Sequence, residues 1–136
     1  MRKRYAWLLG MVLTGLSLQT TFAHHSFAMF DMSKSVTFKG TVKEVQWTNP
    51  HVWIDLTVTE NGKAATYSFE GAAVSVLKRA GWLRDTVKAG DSVTLIGHPY
   101  KDGRPGGSVE YLILADGRKV GTGDAIPPAL VVPGVK

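Results

Sequence analysis

From His51 to Thr59 the chain alternates without a slip. Val52, Ile54, Leu56 and Val58 fall on one side, and His51, Trp53, Asp55 and Thr57 on the other. A period of two sustained over this length marks a strand with one buried and one polar face. It excludes an amphipathic helix and puts β-structure at the centre of the fold. Asn61-Gly62 follows as a two-residue hairpin turn, and Ala64 to Glu70 returns as a partner strand.

The flanking segments fit the same frame. Ser35 to Thr48 reads as a long first strand, with Val36, Phe38, Gly40 and Val42 alternating with Thr37, Lys39, Thr41 and Lys43. Gly40 in mid-strand marks a bend, and the slip at Glu44-Val45 marks a bulge. Thr48-Asn49-Pro50 is a turn in which Pro50 keeps Asn49 extended. Ala72 to Ala80 fits a short helix with Lys78 and Arg79 in its last turn and Gly81 as its stop. Trp82-Leu83 is expected to pack back on the helix end. Lys88-Ala89-Gly90-Asp91 turns into a fourth strand, Ser92 to Gly97. Lys101 to Gly107 reads as a flexible loop and Ser108 to Leu114 as a fifth strand, with a short final strand near Lys119-Val120. Three strands, a helix and two strands is the element order of the OB-fold, a mainly β, five-stranded Greek-key barrel. A small antiparallel sandwich is the alternative.

The ends of the chain read differently. Met1-Arg2-Lys3-Arg4 is basic, Ala6 to Leu18 is apolar, and Thr21-Phe22-Ala23 carries small residues where a signal peptidase would need them. The apolar run is shorter than the roughly 20 residues of a spanning helix. Residues 1–23 are therefore expected to be a signal peptide, 24–34 an N-terminal arm, 35–120 the barrel and 121–136 a flexible tail. This implies a periplasmic or secreted protein with no membrane attachment after cleavage. Phe27 and Phe30 are expected to anchor the arm. The formal charge of +5 includes Arg2, Lys3 and Arg4, which leave with the signal. The remainder forms no basic patch, so nucleic acid is not an expected partner. There is no cysteine, so neither a disulfide nor a thiolate metal ligand is available.

The chemistry that stands out is histidine. The chain has four, at 24, 25, 51 and 98. Cleavage after Ala23 would make His24 the mature N-terminus, offering an amine and an imidazole to one metal. Copper(II) favours such nitrogen ligands in a flat, tetragonal array. A second imidazole opposite the amine would complete a histidine brace. The eleven-residue arm reaches at most ~36–40 Å extended, so His51, held behind a rigid turn, is within range. His25 is a further candidate ligand, and His98 ranks below His51. Both nitrogens of His24 must be deprotonated to bind, so affinity falls with pH. Met29 and Met32 offer thioethers to copper(I), or else fill core. Trp47 and Trp53 flank His51 and either wall the site, form a flat ligand surface, or pack under the arm. Asp55 shares a strand face with His51 and is a candidate to orient it. No serine carries a nucleophile signature, and the glycines at 103 to 107 match no phosphate-binding motif.

Several motifs together resemble a family of small exported bacterial proteins of unknown function. They are His24 to Phe27, Lys39 to Val42, Trp47 to Trp53, Gly81 to Asp85 and Lys88 to Asp91. The resemblance implies export and a single barrel-like domain, and it supplies no reaction. The expected function is non-catalytic copper handling through His24 and a second histidine. Two other readings stay open: a metal-free module of the cell envelope that binds a ligand or a protein partner, and a copper-dependent oxidative enzyme.

Overall fold

A computed structural model of the chain describes residues 25–122. The described chain runs α1 (His25–Ala28), β1 (Val36–Gln46), β2 (Trp53–Glu60), β3 (Lys63–Glu70), α2 (Val74–Arg79), β4 (Ser92–Pro99), β5 (Gly106–Ile113) and β6 (Lys119–Gly121). Strands β1 to β5 form the expected OB-like barrel with a helix between β3 and β4. β6 is added at the edge of β5.

β1 is shared between the two halves of the barrel. Val36 to Thr41 pair with β4, and Gly40 to Gln46 pair with β2. Only Gly40 and Thr41 pair on both sides, so the strand bends where both neighbours crowd it. A Cβ at Gly40 would sit 2.6 Å from the Thr57 carbonyl oxygen, which is why the bend carries glycine. The bulge falls between Val42 and Glu44, slightly earlier than the slip at Glu44-Val45. Opposite this point the Lys88–Asp91 turn clips onto β1. Gly90 N donates to Val42 O and Val42 N to Asp91 O, each at 2.8 Å.

The barrel closes through a parallel pairing of β3 with β5, Ser68–Glu70 against Gly106–Ser108. This revises the expected loop, because Gly106 and Gly107 belong to a strand. Gly106 has φ +123, and a Cβ there would overlap the Ser68 carbonyl. A Cβ on Gly107 would overlap the His98 carbonyl. Three strands converge here more tightly than side chains permit. The glycines meet that steric demand, whereas the sequence pattern alone resembles a flexible connection.

Inside, Val52 and, from one face of β2, Ile54, Leu56 and Val58 meet Phe69, Leu95 and Leu112. α2 contributes Leu77 to the core. Its C-terminus is a Schellman motif: Trp82 N donates to Leu77 O at 3.0 Å and Gly81 N to Lys78 O at 3.1 Å, with Gly81 at φ +88. Leu77 and Trp82, the apolar pair such a motif brings together, are both buried in the core. The Trp82 indole N–H donates to Gly121 O at 2.8 Å. β6 is thus tied to the helix end. Leu83 does not pack on the helix and is exposed.

The closure can be tested with two glycines of positive φ. At Gly103 a Cβ would meet nothing within 4 Å, so Gly103→Ala should cost about 1 kcal/mol from backbone conformation alone. Gly106→Ala adds the clash with β3 and should cost more than about 3 kcal/mol. Urea denaturation of both variants measures the difference. Equal losses would remove the steric account of closure.

Candidate functional site

The hairpin register places the first pair of groups. The two-residue Asn61-Gly62 turn sets Glu60 opposite Lys63, and the ladder carries this register to Trp53 opposite Glu70. Residues that face each other in an antiparallel pair share a sheet face, and diagonal neighbours stay within reach. His51 lies two residues before Trp53, so Glu70 is its diagonal neighbour. The ladder also continues past the strand ends. Gly71 N donates to Val52 O at 2.7 Å and Val52 N to Ala72 O at 3.0 Å. The backbone beside His51 is therefore pinned before the side chain is considered.

The His51 Nδ1–H donates to Glu70 Oε1 at 2.5 Å. Glu70 is buried, with 9% of its side chain exposed, while the imidazole keeps 36%. A neutral imidazole that donates from Nδ1 carries its lone pair on Nε2. A carboxylate behind one nitrogen and an accessible ring is the arrangement that orients metal-binding histidines. Asp55, the carboxylate expected in this role, instead accepts the Ser68 hydroxyl at 2.6 Å. It faces Ser68 in the register, two pairs further from the hairpin's open end than Trp53 and Glu70. Glu70 was missed because it stands at the end of another strand. Counting the register back from Asn61-Gly62 would have found it.

The pair lines a pocket of ≈ 290 Å³. Phe27, Phe30, Ala72, Ala73, Val76 and Val109 supply apolar wall, and Ser108 and Thr122 are also present. Ser108 reaches it through the closure of the barrel, where it stands opposite Glu70 on one side and His98 on the other. Trp47 and Trp53 do not line the pocket. Trp47 packs against the core instead, and Trp53 is half-buried on β2. His98 is also elsewhere, its Nδ1–H donating to Lys34 O at 2.7 Å.

The arm is docked beside this pocket. Phe30 is buried and forms a bridge with Tyr100, their rings 5.0 Å apart. Asp31 N donates to Pro99 O at 2.8 Å, Lys101 N to Met29 O at 2.9 Å, and Lys101 Nζ to Ala28 O at 2.8 Å. The Arg104 guanidinium stacks 3.7 Å from the Tyr100 ring centre and approaches the Met29 sulfur at 3.5 Å. Burial pushes the Tyr100 hydroxyl above the ordinary phenol range. Phe30 therefore anchors the arm, whereas Phe27 is 61% exposed at the pocket rim. Met29 and Met32 are exposed and fill no core. His24 lies outside the described residues, as does the side chain of His25. Among the described residues no three His, Cys, Asp or Glu side chains cluster to hold a metal ion.

A larger hollow of ≈ 390 Å³ lies among Leu83, Lys88, Asp91, Asp116 and Arg118. Four of its five charged side chains form pairs, Lys88 with Asp91 at 3.2 Å and Arg118 with Asp116 at 2.6 Å. Arg118 holds the Asp116 carboxyl below the usual range, and the Lys88 backbone N–H does the same for Asp91. The His51–Glu70 pocket presents the stronger chemistry.

Fold and site together define a small OB-like barrel with a buried carboxylate behind a half-exposed histidine. The chain belongs to the family of unknown function DUF6152, whose model matches residues 12–109. No curated protein matches it.

The arm carries its own pH signature. Hydrogen bonds from Lys34 and Ser33 lower the Asp31 carboxyl to about 2. A depressed carboxyl adds stability above its unfolded value, lost as pH falls through the folded one. The Asp31–Lys34 turn should therefore stay formed at pH 4 and open toward pH 2. Carboxyl NMR titration should show this midpoint, and Lys34→Ala should move it up toward the ordinary range. An unchanged midpoint in Lys34→Ala would refute the assignment.

Proposed function

We propose that this is an exported copper-binding protein. The metal is held by the amine and imidazole of a mature N-terminal His24 together with Nε2 of His51. The role is metal handling without turnover. The observation that carries it is the hydrogen bond from His51 Nδ1 to the buried Glu70 carboxylate. With Nδ1 turned to the carboxylate, Nε2 is the ring nitrogen left to face a metal, and the carboxylate holds the ring in that orientation. The docked arm supports it further. Phe27 lines the same pocket as His51, and it stands three positions after His24. Three residue steps span at most about 10 Å, so a terminal amine at His24 cannot lie further than that from the Phe27 backbone at the pocket rim. Copper is favoured because every ligand invoked is nitrogen and copper(II) heads the divalent affinity order. His25, next in the chain, is a candidate additional ligand.

Protein beginning at His24 should bind one copper(II) ion per chain, with an electron paramagnetic resonance spectrum typical of tetragonal nitrogen ligation. Calorimetric titration should show the loss of tight binding in His24→Ala and a weakening in His51→Ala. Glu70→Gln keeps the size of the side chain but removes its charge, and should weaken binding about 10- to 100-fold. One glycine added before His24 moves the amine and leaves every side chain in place. Undiminished binding by that extended protein would falsify the proposal.

A further inference from the structure

Ser108 is 7% exposed, and its hydroxyl has no hydrogen-bond partner. It is the only buried side-chain nitrogen or oxygen among the described residues in that condition. Leaving a buried hydroxyl unpaired costs about 1–3 kcal/mol. An alanine would fit the same strand position without that penalty. Such a group calls for a partner that arrives from outside the folded chain, and Ser108 lines the pocket beside His51. The other polar groups there are already engaged. His51 donates to Glu70, and the Thr122 hydroxyl donates to Val109 O at 3.1 Å.

From this we infer that the pocket is a small-molecule site in its own right, with Ser108 as its polar anchor. Its ligand is a compact, uncharged, mainly apolar molecule carrying one oxygen function, of the phenol class. The size fits, since ≈ 290 Å³ lies at the small end of ligand pockets. The walls select the body of the ligand: Phe27 and Phe30 offer aromatic surface, and Ala73 and Val76 aliphatic surface. Ser108 selects the head, because a lone hydroxyl rewards one hydrogen-bonding oxygen. Glu70 selects against an anion, because a second carboxylate brought to the same pocket meets like charge at low dielectric. This site shares His51 with the proposed copper centre but needs neither His24 nor a metal.

The experiment uses metal-free His24→Ala protein, so its outcome does not depend on the copper proposal. Phenol, benzoate and toluene are titrated while backbone amide NMR shifts are followed. Phenol should saturate, with the largest shifts at Phe30, Val76 and Ser108. Benzoate should bind at least ~10-fold more weakly, the size of one modest charge repulsion. Ser108→Ala should weaken phenol about 5- to 30-fold, the worth of one buried hydrogen bond, and leave toluene unchanged. The same variant should melt no lower than its parent, since it removes an unpaired group. Val76→Phe should fill the pocket and abolish both phenol and toluene binding. Absence of saturation by phenol would overturn the inference, and so would phenol affinity unaffected by Ser108→Ala. A melting temperature lowered by Ser108→Ala would also overturn it, by showing that the hydroxyl serves the fold.

Discussion

The parallel contact between β3 and β5 is the constraint on which the rest of the structure depends. It joins strands far apart in sequence and converts a curved sheet into a barrel. It also brings Glu70 and Ser108 opposite one another. Without it, Glu70 would end an edge strand, and a carboxylate there would stand in water. With it, the carboxylate is buried and its natural partner is the imidazole diagonal to it across the hairpin. The site is thus a consequence of closure. The glycines that permit closure are the same residues that let the strands approach closely enough to bury a charged group.

The docked arm is the second determinant. A four-residue helix such as α1 has no stability of its own in water. It is held by Phe30, by backbone bonds to Pro99 and Lys101, and by the stack of Arg104 on Tyr100. Burying a phenylalanine stabilises a structure by roughly 1.5–3 kcal/mol, enough to fix so short a segment when the backbone bonds cooperate. The barrel recruits a segment that would otherwise be extended and uses it as one wall of the pocket. The geometry also explains why Phe27 stays largely exposed. It is the rim, and Phe30 is the anchor.

What was legible in the sequence follows from which interactions are local. The clean alternation of β2, the Asn61-Gly62 turn and the Gly81 helix stop are decided within a few residues, and each is found where the sequence places it. The element order then sufficed for the barrel. Gly106 and Gly107 were misread because glycine marks both mobility and steric crowding, and only the neighbouring strands distinguish the two. At the site, His51 was legible from its position after a rigid turn. Glu70 was legible in principle, because a two-residue turn fixes the register of the whole hairpin. Ser108 was not. Its distinguishing property is the lack of a partner in three dimensions, and no pattern along a chain records that.

The two halves of the pocket make different demands on water, and this bears on how they would work together. An imidazole held by a buried carboxylate is a better donor to a cation when the surroundings are dry, since the same low dielectric strengthens every charge interaction. An apolar wall of Phe27, Phe30 and Val76 beside His51 supplies that dryness only while the pocket excludes water. A small apolar molecule seated on Ser108 would complete the exclusion. In that case the neutral ligand and the metal would favour each other without touching. Linkage then requires the effect to run in both directions. Copper loaded at His51 should tighten phenol by the same factor by which phenol tightens copper. Filling the pocket with Val76→Phe should reproduce the effect on copper with no ligand present, because the side chain itself would replace the water.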